Sequence, residues 1–544
     1  MPNIVVPETL QGLRILILQQ RGWAIRIGHP LAVRLSNQGA ILGAVTVKRS
    51  THEFIKTQTD IDYETIISAD AVKEDPTVMA DLASVSLADV CRELRVSTVW
   101  RMAQASRNHV NSYEDRYYYS FRQGQSDAEI VNFIKGTFLH VRRCLDEFRP
   151  DVIVLPNFAG LQHIMFSKMA DARGIPLIAA VDSKVKGVAI LARDYLSRRS
   201  DYLDRVADLR AGAISHNAER ARKYIAQNRE SLSASTISPA IAAQVYGSNA
   251  MKRQSNLDGI LQHSVGFREF LRAGTRSLFE SYEFYRRGGK ERFVNLGTTV
   301  DYRTPHYIFR DNFSAVRYRR AAERHPYADF ASVGKFIYFP LQVQPEATIS
   351  VQAPLFNNQI ETARQVAMAA PDDYCVVVKD HPNMTWRHPV SYIEKIGRLP
   401  NVKLVDFRIR SEEILKRASL LVSPSSSTIA EAALLRVPTI QLGDLGTTAA
   451  YPNVRQHGEF ATLSQTMRSC LNEEIDESGY DAALTDCIAA AYDVGLVGGY
   501  LELRDSNKPE DVPPENVVRV TDWFMAEIRR LTKGRETKDA ALDA

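Results

Sequence analysis

Cysteine is scarce in this sequence of 544 residues, which contains only Cys91, Cys144, Cys375, Cys470 and Cys487. Their number is odd, they are scattered along the chain, and no two of them form a C-x-x-C pair. This pattern excludes a disulfide framework and a structural zinc cluster, and it is typical of a protein of the reducing cytoplasm. We therefore expect a cytoplasmic protein.

Long apolar runs and a dominant charge are also missing. No apolar run approaches the ~18 residues that a membrane-spanning helix requires, and the segment MPNIVVPETLQG lacks the basic and then apolar pattern of a secretory signal. Lysine and arginine number 68 against 64 aspartates and glutamates, a net charge of +4. That balance argues against nucleic acid as a partner. A peripheral position on the inner membrane surface stays open.

Several catalytic motifs are absent as well. There is no G-x-x-x-x-G-K-[ST] phosphate loop, no G-x-G-x-x-G after Leu18 and no G-x-S-x-G turn. These absences disfavour phosphate-loop ATP chemistry, a dehydrogenase and a serine hydrolase. No acidic D-x-D follows a predicted strand, so we expect neither a metal nor a cofactor.

Short apolar runs that alternate with amphipathic helices predict two α/β domains, each with a parallel sheet. We expect an N-terminal Rossmann-like acceptor domain (1–200), with an irregular insertion over residues 50–125, and a helical intervening region (201–332). A C-terminal Rossmann-like donor domain (333–465), C-terminal helices (466–532) and a disordered tail (533–544) follow. Two doubly wound domains with chemistry between them are the GT-B arrangement.

Polar or small residues follow four predicted strands of the second domain. Open α/β sheets bind ligands beyond the carboxyl ends of their strands, so these loops are the candidate site. The candidate residues there are Gln344 and Glu346 after the first strand, Lys379, His381 and Pro382 after the second, and Ser425, Ser426, Ser427, Thr428 and Glu431 after the third.

The serine run precedes a predicted helix, whose free N–H groups and hydroxyl neighbours suit a phosphate. Thr428 and Glu431 fit a capping box, and the alternative is that the serines form only a cap and a turn.

His381 can donate to a phosphate as a leaving group departs, or it is a hydrogen-bonded loop histidine. We interpret His388 as a loop residue. Glu346 either accepts sugar or ribose hydroxyls, acts as a base, or compensates helix charge.

These segments resemble the capsular polysaccharide biosynthesis glycosyltransferases, which include bacterial Kdo transferases. The similarity rests on FPLQVQPE at 339–346, VVKDHP at 377–382 and SPSSSTIAEAALLRVP at 423–438. The histidine–proline and serine motifs also look like those of sialyltransferases with CMP-sugar donors and of CDP-glycerol transferases. The resemblance implies a GT-B fold and metal-independent transfer from a nucleotide-activated, CMP-linked sugar to a surface saccharide or lipid-linked acceptor.

The N-terminal domain departs from that family. A Gly-Asp pair is usual after the central strand, where this chain has Leu155-Pro-Asn-Phe158, and Val181-Asp-Ser-Lys184 replaces an acidic glycine-rich element. Asp182, at a predicted strand end, is our candidate for the catalytic base.

Three alternatives remain open. A CDP-polyol phosphotransferase would use the same loops, a sugar-nucleotide epimerase has a similar fold, and the chain could be a non-catalytic scaffold of a polysaccharide assembly complex. Separately, arginine and tyrosine are dense between Arg268 and Arg320. This region either faces an anionic acceptor or membrane surface, or is a solvated helix whose glutamates pair with the arginines.

Overall fold

The computed structural model describes residues 10–105, 126–233, 267–286, 305–344, 346–505 and 513–542. They form two parallel-dominated β-sheets with alternating helices, which confirms the predicted α/β, GT-B class. The strands of the N-terminal sheet are β1 (Arg14–Gln19), β2 (Ile41–Thr46), β3 (Thr65–Ser68), β4 (Val152–Leu155), β5 (Leu177–Asp182), β6 (Val188–Ala192) and β13 (Leu496–Val497). Those of the C-terminal sheet are β7 (Phe336–Pro340), β8 (Cys375–Lys379), β9 (Val402–Val405), β10 (Leu420–Ser423), β11 (Thr439–Gln441) and β12 (Val454–Gln456).

Helices of seven or more residues are α1 (His29–Ser36), α2 (Arg49–Lys56), α3 (Leu87–Glu93), α4 (Asp127–Phe148), α5 (Leu161–Arg173), α6 (Asp201–Arg210), α7 (Ala218–Ser233), α8 (Phe267–Arg286), α9 (Pro305–Arg324), α10 (Gln359–Ala369), α11 (Val390–Gly397), α12 (Thr428–Leu434), α13 (Leu463–Asn472), α14 (Glu477–Val494) and α15 (Pro514–Leu542). Shorter α-helices are Arg21–Trp23, Asp70–Glu74, Trp100–Ala103, Ala347–Ser350, Ser411–Leu415, Gly446–Ala449 and Tyr500–Asp505. A π-helix, Ala24–Gly28, leads into α1.

The N-terminal sheet has the strand order β13-β6-β5-β4-β1-β2-β3. Strands β1 to β5 are parallel, whereas β6 and β13 pair antiparallel. Helices cover both faces: Leu16 and Leu18 of β1 pack into one hydrophobic cluster, and Ile15 and Ile17 into another. Burial on both faces explains why the strand is a continuous apolar run.

The prediction of an irregular insertion over residues 50–125 is wrong in part. Its described residues contain β3 and α3, together with the end of α2, and β3 extends the parallel sheet. The four residues of β3 are only half-buried, so they lack the strong apolar signal of a central strand. Residues 106–125 lie outside the described part of the chain.

The C-terminal sheet has the order β12-β11-β10-β7-β8-β9, and all its strand pairs are parallel. The order reverses between β7 and β10, which are neighbours although β8 and β9 separate them in sequence. The loops after β7 and β10 therefore diverge at a topological switch point, where open α/β sheets bind their ligands.

The C-terminal helices join the two sheets. A mixed hydrophobic cluster includes Val188 of the N-terminal sheet, Ala433 of α12 and Leu484 of α14. Strand β13 then pairs with β6, and α15 packs against the N-terminal core through Phe524. The helix α15 reaches Leu542, so residues 533–542 are helical where a disordered tail was predicted. Residues 543–544 lie outside the described part.

The intervening region contains two helical pairs. Helices α6 and α7 are separate, with a turn between them. Helices α8 and α9 pack against each other, with the Phe270 and Phe313 ring centroids 6.5 Å apart. Over the described ranges, no helix is long and apolar enough to cross a membrane.

Candidate functional site

The predicted donor residues gather at the carboxyl edge of the C-terminal sheet. Strand β7 ends at Pro340, β8 at Lys379 and β10 at Ser423, and these three strands are adjacent in the sheet. Gln344, His381 and Ser425 follow these ends within a few residues, so the topology places their three loops side by side.

The serine loop is held by hydrogen bonds to its neighbours. The Ser425 hydroxyl is buried and donates to Gln352 Oε1 at 3.1 Å, and the Ser423 and Ser426 hydroxyl oxygens lie 3.0 Å apart. Ser427 is exposed. Among the described residues, the amide N–H groups of Ser427 and Thr428 donate to no carbonyl. The loop therefore presents amide N–H groups beside serine hydroxyls, which are donors that suit a phosphate.

The capping box predicted for Thr428 and Glu431 is wrong. Ser427 is the N-cap residue, its backbone is already helical (φ −64°, ψ −24°), and no side chain caps the helix. A capping side chain requires an extended N-cap backbone, which the turn after β10 does not provide.

Gly443 keeps the loops after β10 and β11 in contact. Its N–H donates to the Pro424 carbonyl at 2.7 Å. A Cβ atom at this position would lie 2.5 Å from the Pro424 oxygen and 2.7 Å from Ala353 Cβ. The site therefore has room only for glycine, and the close approach fixes the start of the serine loop.

His381 is oriented by its own turn. Its Nδ1 accepts a hydrogen bond of 3.1 Å from the Asn383 N–H, at the start of the one-turn helix Pro382–Met384. Burial, reinforced by the Lys379 ammonium, lowers the pKa of His381 to about 4. The imidazole is therefore neutral near pH 7 and carries its proton on Nε2, so Nε2–H is available as a donor.

Asp380 and His388, which were not among the predicted site residues, support this turn. Asp380 Oδ1 accepts the His381 amide N–H at 2.8 Å, and Asp380 Oδ2 lies 2.9 Å from His388 Nδ1. His388, interpreted from the sequence as a loop residue, is completely buried, and its ring stacks on Tyr392 with centroids 3.9 Å apart. The sequence signal was the carboxylate next to His381 and a second histidine seven residues later.

The buried Lys379 and Glu412 interact electrostatically with the half-buried Glu431, in the first turn of the helix that follows the serine loop. Burial and the neighbouring Glu412 carboxylate raise the pKa of Glu431 to about 7, while Lys379 opposes that shift. Burial lowers the pKa of Lys379 despite the nearby Glu412, Asp380 and Glu431. Glu412 comes from the short helix Ser411–Leu415 and was not among the predicted site residues.

Gln344 is buried, and its side-chain amide is engaged within its own loop. Its Nε2 donates to the Asn357 carbonyl at 2.6 Å, and its Oε1 accepts from Gln359 Nε2 at 2.9 Å. Glu346 is exposed and is the N-cap residue of the helix Ala347–Ser350, where its carboxylate accepts the Thr348 hydroxyl at 2.9 Å. The end of this helix leads into Val351, which packs in the N-terminal hydrophobic core.

Asp182 ends β5 on the N-terminal side. Its carboxylate accepts the Lys184 N–H at 2.9 Å and the Lys184 ammonium at 3.1 Å. The Asp182 side chain is 44% exposed. Desolvation of the carboxylate favours the neutral acid, but Lys184 prevails and holds the pKa of Asp182 below its ordinary value. Asp182 is thus ionised near pH 7.

Tyr224 of helix α7 interacts electrostatically with both Asp182 and Glu431. Burial is the main cause that raises the pKa of Tyr224 to about 12, and the charges of Asp182 and Glu431 both add to it. The Tyr224 hydroxyl also accepts the Lys186 N–H at 3.2 Å. Tyr224 thus lies against the turn that follows β5, and its helix α7 also packs against α12.

No group of three or more histidine, cysteine, aspartate or glutamate side chains is arranged to hold a metal ion within the described residues.

The sequence matches no protein-family model and no curated protein. Solved structures similar in fold include the β-Kdo 2,7-transferase KpsC of Thermosulfurimonas dismutans, at 12% identity and a TM-score of 0.32, covering 70% of this chain and 85% of that one. The glycotransferase of kitacinnamycin matches at 13% identity and a TM-score of 0.24, covering 93% and 100%. The UDP-GlcNAc 2-epimerase of Neisseria meningitidis, bound to UDP-GlcNAc, matches at 11% and 0.24, covering 88% and 97%. Similarities this low concern the fold alone, and we base no functional inference on them.

Proposed function

We propose that this chain is a glycosyltransferase that transfers a sugar from a CMP-linked nucleotide donor to a surface or capsular polysaccharide or glycolipid acceptor. The observation that carries the proposal is the neutral His381, an Nε2–H donor after β8, at the same edge of the sheet as the amide N–H groups of Ser427 and Thr428 after β10. Donors fixed in place around a departing phosphate stabilise the charge that develops on it.

In the proposed reaction, an acceptor hydroxyl attacks the anomeric carbon of the donor sugar. The bond between that carbon and the phosphate oxygen breaks, and CMP leaves with the bonding electron pair. His381, the serine loop and Lys379 offset the charge on the phosphate. Glu431, at the first turn of α12, accepts the ribose hydroxyls of the nucleotide.

The acceptor hydroxyl loses its proton to a base, for which we propose Asp182. Its carboxylate is ionised and lies at the carboxyl end of β5. Glu346, exposed on the loop after β7, is proposed to accept hydroxyls of the donor sugar. Asp182→Asn is expected to lower kcat and leave donor binding unchanged, whereas Glu346→Gln is expected to raise KM for the donor.

A thermal-shift screen tests the donor directly. CMP, CDP, UDP, GDP and their sugar conjugates are each added to the intact protein, because a ligand that binds only the folded state raises the melting temperature. We expect the largest shift with CMP or a CMP-sugar and its loss in His381→Ala. The matched control, His216→Ala, removes an exposed histidine of the intervening region and is expected to keep the shift.

The products distinguish the alternatives. CMP-Kdo and CMP-sialic acid should release CMP when a saccharide acceptor is present. Transfer of glycerol phosphate from CDP-glycerol would contradict sugar transfer, and so would conversion of UDP-GlcNAc to its 2-epimer. A chain that binds none of the nucleotides would be a scaffold rather than an enzyme.

We further propose that α8 places the enzyme on an anionic membrane surface, where a lipid-linked acceptor would be found. Apolar side chains along this helix are 54% to 68% exposed: Leu271, Leu278, Phe279, Tyr282 and Tyr285. The neighbouring arginines are paired with glutamates, as in Arg272–Glu269 at 2.8 Å and Arg286–Glu283 at 2.8 Å. Binding would thus rest mainly on apolar insertion. Lys290 and Arg292, which belong to the same basic region, lie outside the described residues.

Flotation with vesicles containing anionic lipid tests this placement at low and high salt. We expect the wild-type protein to float at both salt concentrations and the double variant Leu278→Ser/Tyr282→Ser to stay at the bottom of the gradient. Met368→Ser, which removes an equally exposed apolar side chain from the donor domain, is the control and should float. If the wild-type protein does not float, the membrane placement is wrong, and α8 either faces a soluble acceptor or is a plain solvated helix.

A further inference from the structure

A buried carboxylate connects two histidines that lie seven residues apart in sequence. Asp380 is 4% exposed and uses both oxygens: Oδ1 accepts the His381 N–H at 2.8 Å, and Oδ2 lies 2.9 Å from His388 Nδ1. A buried carboxylate is tolerated only when hydrogen bonds replace its hydration, and these two contacts do so.

His388 is fixed from its other side. Its ring lies nearly parallel to Tyr392, with an interplanar angle of 23° and a centroid distance of 3.9 Å. Tyr392 belongs to α11 and is 2% exposed. The backbone folds the segment back, since the His388 N–H donates to the Met384 carbonyl at 2.9 Å and the Met384 N–H to the His381 carbonyl at 2.7 Å. A rigid path thus runs from α11 through His388 and Asp380 to the backbone of His381.

We infer that His388 and Asp380 are positioning residues that set the direction of the His381 Nε2–H toward the donor phosphate. This inference rests on the proposed function. The Asp380 contact fixes the His381 backbone, and the Asn383 contact fixes its ring, so together they leave the imidazole one orientation. Productive donors must be held within about 0.5 Å of their place, and the second layer of contacts around a site provides that precision.

A purely structural role for Asp380 and His388 predicts a different result. If Asp380 and His388 only stabilise the loop, their loss lowers the melting temperature and adds to the effect of any site variant. If they act through His381, their loss matters only while His381 is present.

The test is a double-mutant cycle read by CMP release from CMP-Kdo or CMP-sialic acid, with the Kd for CMP and the melting temperature measured for each protein. His388→Phe keeps the stacked ring and removes the donor to Asp380, whereas His388→Asn keeps a donor near the position of Nδ1. We expect His388→Phe to lower kcat about 10- to 100-fold with little change in KM, and His388→Asn to restore most of it. In a His381→Ala background, His388→Phe should cost nothing further.

Equal losses in the two backgrounds, or equal losses in His388→Phe and His388→Asn, would overturn the inference. Asp380→Asn, which keeps the size of the side chain, repeats the cycle if His388→Phe does not fold. The failure of the proposed function has a separate signature, because the wild-type protein would then release no CMP from either donor.

Discussion

His381 Nδ1 accepts a hydrogen bond of 3.1 Å from the amide N–H of Asn383, the residue two positions later. This contact assigns the imidazole proton to Nε2 in the neutral ring. A backbone contact thus decides which nitrogen of His381 can donate to a ligand.

The first prediction concerns that donor. His381→Ala should lower the rate of CMP release by about 10²–10³, as the loss of one charge-stabilising donor does. His381→Gln, whose Nε2–H can take the place of the imidazole Nε2–H, should recover part of the rate. His216→Ala, at an exposed site, should behave as wild type. Near-complete activity in His381→Ala would remove the histidine from the mechanism.

The second prediction concerns pH. Burial lowers the pKa of His381 to about 4, so this ring does not titrate between pH 6 and 8. Glu431 does titrate in this range, because burial and the Glu412 carboxylate raise its pKa to about 7. If only the ionised carboxylate accepts the ribose hydroxyls, the competent fraction rises from about a tenth at pH 6 to about nine tenths at pH 8, and CMP should bind about tenfold more tightly.

Calorimetric titration of wild type and Glu431→Gln at pH 6, 7 and 8 measures this effect. The ratio of the two dissociation constants removes the titration of the CMP phosphate itself. A ratio that does not change with pH would show that Glu431 takes no part in nucleotide binding.

The third prediction tests the contact at Gly443. Gly443→Ala places a Cβ atom against the Pro424 carbonyl and Ala353, so we expect it to lower the free energy of unfolding by about 1–3 kcal/mol and to weaken CMP binding. Gly334→Ala, in the same domain, meets no atom within 4 Å and should change neither quantity. Equal CMP affinity in a folded Gly443→Ala protein would show that the serine loop does not depend on this contact.

The fourth prediction concerns Asp481 of α14, which binds Arg229 of α7 at 2.6 and 2.8 Å and Arg436 after α12 at 2.7 Å. Asp481→Asn should lower the free energy of unfolding by about 2 kcal/mol, because two charged donors lose their acceptor. Glu477→Gln, whose largely exposed carboxylate contacts Arg436, should have a small effect.

The hydrogen bond from Arg229, and then that from Arg436, hold the pKa of Asp481 well below its ordinary value. Its contribution is therefore complete above about pH 4 and is lost as the pH falls below that value. Melting curves should show a constant difference between wild type and Asp481→Asn from pH 5 to 8 and a smaller one below pH 4. A difference that grows on acidification would contradict this assignment.

The fifth prediction is that transfer needs no divalent cation. In the proposed mechanism, His381, the serine hydroxyls and Lys379 offset the phosphate charge that a metal ion would otherwise neutralise. CMP release should keep its rate after treatment with EDTA, with the untreated enzyme as the control. Loss of activity in EDTA and recovery with magnesium would contradict the proposal.

The sequence alone was sufficient for the elements whose signals are local. Helix α4 (Asp127–Phe148) is amphipathic, and a Ser126–Glu129 capping box starts it, so its signal lies within near neighbours. The central strands are continuous apolar runs because they are buried on both faces, which is why the sequence predicts parallel sheets. The half-buried edge strand β3 lacks that signal and was missed, and the two-residue edge strand β13 is too short to show it. The antiparallel β6 was missed although it is an interior, fully buried strand.

The same distinction between local and tertiary information applies to the candidate site. The sequence determined which residue types stand after the strands, because turn and strand patterns depend on near neighbours. Tertiary structure decided their arrangement: β10 lies beside β7 only because the strand order reverses there, and this places the serine loop next to the loop of Gln344, with the loop of His381 on the far side of β7. It also paired Asp380 with His388 and placed Glu412 near Glu431. Those contacts depend on the path of the chain between the residues, on burial and on the resulting electrostatics, which no local pattern encodes.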